Sequence, residues 1–206
     1  MDLAIYLRPT PCLDADHPRV AAFARETTRT CRTRPDQAVA LFREIRDRIR
    51  YDPYHIDLSD AAMRASAVLA RGTGFCISKA VLLAAAARAL GIPSRLGFGD
   101  VKNHLATERL QRVLDTDVLA WHGWTELFLH DRWVKATPAF NATLCERFNV
   151  APLTFDGHTD AMFQQFDRAG KRYMEYVRDR GTYADLPLDE LRTEFRQHYA
   201  VLLAPR

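Results

Sequence analysis

The stretch Arg71-Gly72-Thr73-Gly74-Phe75-Cys76 stands directly before a nearly unbroken apolar run, Ile77 to Leu90. The two glycines allow the backbone to turn sharply, and Gly91 with Pro93 marks the end of the run. The pattern predicts a helix that begins at Cys76. A cysteine at a helix N-terminus faces unpaired N–H groups and the positive end of the helix dipole, which favours the nucleophilic thiolate. The alternative interpretation is a small buried residue at the start of a core helix.

Two later segments have the composition of β-strands. Aromatic and β-branched residues dominate both, residues 130–132 form a turn between them, and Pro138 ends the second. The segments are Trp121-His122-Gly123-Trp124-Thr125-Glu126-Leu127-Phe128-Leu129 and Trp133-Val134-Lys135-Ala136-Thr137-Pro138. They place a candidate base, His122, on the first strand.

The length of the connection between these strands decides which residues face one another. If residues 130 and 131 form a two-residue loop, Leu129 pairs with Arg132. Thr137 then lies diagonally across from His122 on the same face of the sheet, within roughly 7–8 Å. A longer loop would change this register by a residue or two.

In this order, the segments resemble the transglutaminase-like superfamily, whose catalytic arrangement is similar to that of papain. The resemblance covers about residues 35–140. It rests on Gly72-Thr73-Gly74-Phe75-Cys76 with Lys79-Ala80, the segment Arg88 to Arg95, His122-Gly123-Trp124-Thr125-Glu126 with Trp133-Val134, and a preceding helix, Leu41 to Asp52. It implies an α+β fold in which the helix that carries the cysteine packs on an antiparallel β-sheet. It also implies a Cys-His-Asp triad with Cys76 and His122 as its first two members.

The third position of the triad departs from the family. Thr137 replaces the usual aspartate, and its hydroxyl can accept the imidazole N–H but brings no charge. Asn141 is an alternative orienting residue, because papain-like enzymes use asparagine, and Asp156 is another. A site with no third member also remains open.

The resemblance implies acyl transfer through a cysteine thioester. His122 would take the proton from Cys76, and the sulfur would attack a carbonyl carbon. The Cys76 backbone N–H is the expected oxyanion donor, and the indole N–H of Trp121 or Trp124 is a weaker candidate. Hydrolysis of a peptide, isopeptide or other amide bond is the expected reaction. The alternatives are transfer to an amine and a catalytically silent module that binds a peptide or protein partner.

The composition argues against several other classes of function. The net charge of +3 is small and no basic patch with interleaved aromatics occurs, so we expect no nucleic-acid partner. No CxxC or HExxH motif occurs among the four cysteines and seven histidines, so we expect no metal site and no cofactor. We expect a peptide, protein or small amide as substrate and no membrane partner. The first residues lack the basic segment and the long apolar segment of a signal peptide, so we expect the protein to be cytoplasmic.

The chain is expected to form a single domain, residues 1–206, with its core at about 35–140 and a C-terminal extension at about 141–206. We predict a strand within residues 1–10, a short strand at 95–99, and helices at 169–180 and 188–203. Two roles for the extension remain open: packing against the outside of the core, or a wall or lid over the cleft near Cys76.

Overall fold

The computed structural model describes residues 2–104, 118–163, 168–170 and 173–199. A single 3-10 turn (Ala4–Tyr6) precedes seven α-helices in these ranges: α1 (Pro18–Thr27), α2 (Arg34–Arg48), α3 (Asp60–Met63), α4 (Ala65–Arg71), α5 (Cys76–Ala89), α6 (Ala142–Arg147) and α7 (Leu188–His198). The strands in the same ranges are β1 (Arg50–Tyr51), β2 (Thr73–Gly74), β3 (Ser94–Asn103), β4 (Val118–Leu129), β5 (Arg132–Ala136) and β6 (Met174–Tyr183). Within these ranges no helix is long and apolar enough to cross a bilayer.

Four strands form an antiparallel sheet in the order β5-β4-β3-β6. In the hairpin of β4 and β5, Leu129 pairs with Arg132 across a loop of His130 and Asp131, so the predicted register is confirmed. Both loop residues have positive φ, 50° and 59°. That conformation matches the twist of the flanking strands in two-residue hairpin loops.

The helix α5 lies at the centre of the molecule. Every residue from Ile77 to Arg88 is buried, and the helix contacts α1, α2, α4 and the sheet. Small alanine side chains let these neighbours approach, and Thr125 of β4 donates its hydroxyl hydrogen bond to the Ala80 carbonyl at 2.8 Å. The predicted α+β arrangement, a central cysteine-bearing helix on an antiparallel sheet, is confirmed.

Two buried side chains stabilise the C-terminal end of α2. Lys79 Nζ donates to the carbonyls of Arg46 (2.9 Å) and Ile49 (2.6 Å). The Asn141 amide donates to the same two carbonyls and to that of Asp47. Carbonyls at a helix C-terminus have no intrahelical partner and carry negative partial charge, so these donors satisfy them. Burial lowers the pKa of Lys79 to about 7.

The helix predicted over residues 169–180 is wrong where the structure describes it, because Met174–Tyr183 form the strand β6. β6 pairs with β3 from Asn103 back to Leu96. Its partner lies about eighty residues earlier in the chain, so no local pattern reveals the pairing. β3 itself runs to Asn103 rather than ending at residue 99, because β6 extends the ladder there.

The N-terminal strand predicted within residues 1–10 is also absent from residues 2–10, which contain only the 3-10 turn. The helix predicted over residues 188–203 is present as α7 and begins at Leu188 as expected. The last four residues of that prediction lie outside the described residues.

Candidate active site

The segment before α5 places Cys76 at the tip of the helix. Gly72 ends α4 with a φ of 68°, and the short parallel pairing of β1 with β2 then sets the direction of the chain. Phe75 is the N-cap, and its N–H donates to Ser78 Oγ at 3.0 Å. Such a side-chain bond satisfies one of the free donors at a helix start. Cys76 is therefore the first helical residue, as the sequence predicts.

Cys76 and His122 line one narrow, largely apolar cleft of about 60 Å³. The remaining walls come from three separate parts of the chain, and include Tyr51 and Ile56 after α2, Leu119 and Ala120 of β4, and Phe195 and Tyr199 at the end of α7. The four free cysteines are Cys12, Cys31, Cys76 and Cys145, and of these Cys76 lines the cleft. The structure thus brings the predicted nucleophile and base to the same surface.

The cleft keeps both groups in their uncharged forms. Desolvation raises the pKa of the Cys76 thiol, although hydrogen bonds from the N–H groups of Gly123, Ile77 and Cys76 itself oppose this. Burial lowers the pKa of His122 to about 4, because the charged imidazolium loses its hydration. The raised thiol pKa is opposite to the direction predicted from the helix tip. Desolvation by the surrounding apolar side chains outweighs the favourable N–H groups.

His122 also lines a second, smaller cavity. It has a volume of about 10 Å³, the size of about one water molecule, and both His122 and Thr137 line it. Neither His122 Nε2 nor Thr137 Oγ1, both buried, has a hydrogen-bond partner within the described part of the chain. Thr137 and His122 therefore line the same small cavity, and no hydrogen bond joins Oγ1 to Nε2.

The two alternative orienting residues lie elsewhere. The Asn141 side chain donates from Nδ2 to carbonyls at the end of α2, and its Oδ1 accepts a hydrogen bond from the Tyr51 N–H (2.7 Å). Asp156 is exposed and accepts hydrogen bonds from the N–H groups of His158 and Thr159 (both 2.7 Å), which lower its pKa to about 2. In the described part of the chain, neither the Asn141 carboxamide nor the Asp156 carboxylate is hydrogen-bonded to His122.

The two tryptophans predicted near the site differ in position. Trp124 Nε1 donates to Glu126 Oε1 at 3.1 Å, and its ring packs edge-on against Tyr176 of β6. Trp121 lines the cleft with Cys76 and His122. Its indole Nε1 is buried and has no hydrogen-bond partner among the residues that the structure describes. Of the two, Trp121 is the one that lines the cleft.

Sequence reasoning missed three aromatic residues of the cleft: Tyr51, Phe195 and Tyr199. Tyr51 is positioned by the β1–β2 pairing, and burial raises its pKa well above the ordinary value. The Phe195 ring lies 6.4 Å from that of Phe75 and 4.9 Å from that of Tyr199. The spacing of Leu188, Leu191 and Phe195 on α7 signals an apolar helix face, but not the surface it covers. The extension thus supplies a wall of the cleft as well as an outer strand.

The sequence matches the model of a known protein family. The model of the transglutaminase-like superfamily matches residues 21–138, more than half of the chain. The chain belongs to this superfamily. The matched region contains Cys76, His122 and Thr137, and it ends before α7, where Phe195 and the C-cap residue Tyr199 complete the cleft.

A solved structure shows a similar fold at low sequence identity. A candidate cysteine protease from Cytophaga hutchinsonii is similar over 89% of this chain, with a TM-score of 0.53 and 15% identity. The chain spans 55% of the length of that protein. A candidate protease from Parabacteroides distasonis is similar over 61% of this chain and 25% of its own length, at 14% identity and a TM-score of 0.41. No curated protein matches the chain.

Proposed function

We propose that this superfamily member is a cysteine-dependent hydrolase that cleaves a peptide, isopeptide or other amide bond through a Cys76 thioester. One observation carries the proposal: the first-turn cysteine of α5 and the imidazole of β4 line the same narrow cleft. Family membership and the similar candidate cysteine protease from Cytophaga hutchinsonii support this general class of chemistry.

The reaction begins from a neutral pair. Because the pKa of the thiol is raised and that of the imidazole is lowered, His122 takes the Cys76 proton as the sulfur attacks, rather than before. The new C–S bond forms, the C–N bond breaks, and His122 returns the proton to the leaving amine. Water then attacks the thioester, with its proton passing to His122 and then to the sulfur. The N–H of Cys76 is the proposed oxyanion donor, with the Trp121 indole as a second candidate.

Thr137 is the proposed orienting residue. It lines the small cavity that His122 also lines, and its buried hydroxyl has no hydrogen-bond partner among the described residues. A hydroxyl supplies no negative charge, which agrees with a pair that stays neutral in the free enzyme.

The walls of the cleft suggest the kind of substrate. Tyr51, Ile56, Leu119 and Phe195 enclose a narrow apolar space, so an extended apolar side chain or acyl chain fits beside the sulfur better than a charged group. We propose a peptide, protein or small amide of this kind. We keep the cytoplasm as the proposed location, because four free thiols fit a reducing compartment.

A catalytically silent binding module is the second candidate, and the missing carboxylate at Thr137 favours it. Transfer to an amine instead of water is a third. The three differ in what happens to Cys76 after it meets an activated ester. A hydrolase shows an acyl adduct on Cys76 by mass spectrometry that decays in water. In a transferase, the acyl adduct on Cys76 decays faster when a primary amine is added, and the amide is formed. A silent module forms no adduct that depends on His122.

The experiment uses p-nitrophenyl acetate with the full chain, its Cys76→Ser variant and its His122→Ala variant. We expect a burst of p-nitrophenol and an acetylated Cys76 peptide in the parent chain only. Acetylation spread equally over Cys31 and Cys76, or unchanged in His122→Ala, contradicts the proposed hydrolase.

A further inference from the structure

The strand β4 is irregular directly before His122. Gly99 of β3 pairs with His122, but Val101 pairs with Leu119, so two residues of β4 lie opposite the single residue Asp100. The second of these two is Trp121, whose φ is 59°. Positive φ is a strained conformation for a bulky side chain, and it persists only where the surroundings impose it.

The Asp100 carboxylate binds both a backbone N–H of this bulge and an arginine side chain that lies beside it. Its Oδ1 accepts the Trp121 N–H at 3.1 Å. Arg180 of β6 donates to both oxygens of the same carboxylate, through Nε to Oδ1 (2.5 Å) and Nη2 to Oδ2 (3.1 Å). The Arg180 guanidinium also lies 5.0 Å from the centre of the Trp121 ring. A bidentate guanidinium orients the carboxylate that in turn binds the strained N–H.

β6 is irregular at the same level. Phe98 pairs with Gly181 and Gly99 with Asp179, so Arg180 is the extra residue of a second bulge on the other side of β3. Glu194 of α7 accepts a further contact from Arg180 Nη2 at 3.2 Å. Tyr199, at the end of α7, accepts the Ala120 N–H at 2.5 Å, so it binds the first residue of the β4 bulge.

We propose that Asp100 and Arg180 are positioning residues, which impose the strained Trp121 conformation and so direct the next residue, His122, toward Cys76. The inference rests on the proposed function for the role of His122. It assigns the C-terminal extension a part in the site, because Arg180, Glu194 and Tyr199 all lie beyond the region matched by the family model. β bulges beside active sites commonly re-aim a side chain in this way.

The test measures His122 itself as well as Cys76. The variants are Arg180→Met, which removes the bidentate donor, and Asp100→Asn, which keeps an acceptor for the Trp121 N–H but weakens the ion pair. Arg178→Met is the matched control, since Arg178 is an exposed arginine on the same strand. Iodoacetamide labelling of Cys76 is followed by peptide mass spectrometry. Histidine labelled with ¹³C reports the His122 ring by NMR, with its signal assigned through His122→Gln.

For Arg180→Met we expect labelling of Cys76 to slow by about tenfold to a hundredfold, as for a small misplacement of a catalytic group, and the His122 signal to move. Asp100→Asn should show a smaller effect of the same kind, and Arg178→Met should match the parent chain. A lower melting temperature with an unchanged His122 signal and an unchanged Cys76 rate in the folded protein overturns the inference.

A different result would contradict the proposed function without deciding the positioning role. If His122→Ala leaves the labelling of Cys76 in the parent chain unchanged, His122 is not its base. The positioning role is then decided by the His122 signal alone. A shift in Arg180→Met but not in Arg178→Met supports it, and no shift overturns it.

Discussion

Gly123 lies so close to the first turn of the Cys76 helix that a side chain at this position would crowd Ile77. A Cβ at position 123 would lie 3.2 Å from both Cα and Cγ1 of Ile77, and 3.2 Å from Cε1 of Phe98. This contact joins the strand of the base to the helix of the nucleophile. The glycine between His122 and Trp124 is therefore part of the geometry of the site.

Replacing Gly123 with alanine tests this contact. The added methyl group meets the Ile77 backbone, which cannot rotate away, so we expect a loss of about 1–3 kcal/mol in the free energy of unfolding. Urea unfolding measures this loss. The strand should also move away from α5, and labelling of Cys76 in the folded protein should slow. Unchanged stability and labelling would show that the two elements separate freely.

The charge state of the pair predicts the pH profile of Cys76. Because the thiol pKa is raised and the His122 pKa is about 4, both groups are neutral near pH 7. In His122→Ala, where the thiolate forms only by loss of the proton to water, we expect the rate of labelling by iodoacetamide to rise about tenfold per pH unit from pH 6 to pH 8. In the parent chain, transfer of the proton to neutral His122 should add a rate that is independent of pH over this range, so a parent profile equal to that of His122→Ala would contradict the role of His122 as base.

The other cysteines are internal controls for that experiment. Cys12 and Cys145 are buried, and burial raises the pKa of both, that of Cys12 to about 12. We expect Cys76 to react faster than either. Comparison with the more accessible Cys31, in the parent chain and in His122→Ala, separates the effect of the imidazole from that of exposure.

The buried imidazole predicts a loss of stability in acid. An unfolded His122 binds a proton near pH 6.5, whereas the folded ring resists protonation until about pH 4. The unfolded state therefore binds more protons between these values, and stability decreases as the pH falls from 6.5 to 4. The full effect is about 3 kcal/mol and is complete below pH 4.

His122→Gln should remove this part of the pH dependence while the carboxylates of the chain titrate as before. The measurement is the free energy of unfolding in urea at several pH values between 4 and 7 for both proteins. Parallel curves would mean that His122 is accessible to water in the folded state.

Three single substitutions decide which residue orients His122. Thr137→Val removes a buried hydroxyl at similar volume, so we expect slower reaction of Cys76 with little change in stability. Asn141→Leu removes donors from the end of α2, so we expect a loss of about 1–3 kcal/mol in stability. Asp156→Ala changes an exposed turn and should leave the reaction rate unchanged.

Thr137→Asp is the converse experiment. A carboxylate beside the imidazole would raise the pKa of His122 and increase the reactivity of Cys76 near neutral pH. The small cavity desolvates the carboxylate, so we also expect lower stability. No rate change in either Thr137 variant would indicate a Cys-His dyad.

Short-range features explain why much of the fold was predictable. The glycines before Cys76 and the Phe75–Ser78 capping bond act within a few residues, so the start of α5 follows from local sequence. The two-residue loop likewise sets the register of β4 on β5, and with it the position of Thr137 beside His122.

Contacts between distant segments decided the rest. β6 is a strand because it meets the edge of β3, not because residues 174–183 have a strand pattern. Asn141 is directed to the end of α2 by carbonyls about ninety residues away. The sign of the Cys76 pKa shift depends on walls contributed by β1, β4 and α7, since desolvation is set by everything that surrounds the sulfur. By itself, therefore, the sequence determined the family and the candidate nucleophile and base, while only the tertiary structure decided the surroundings that set their charge state and the strained bulge beside His122.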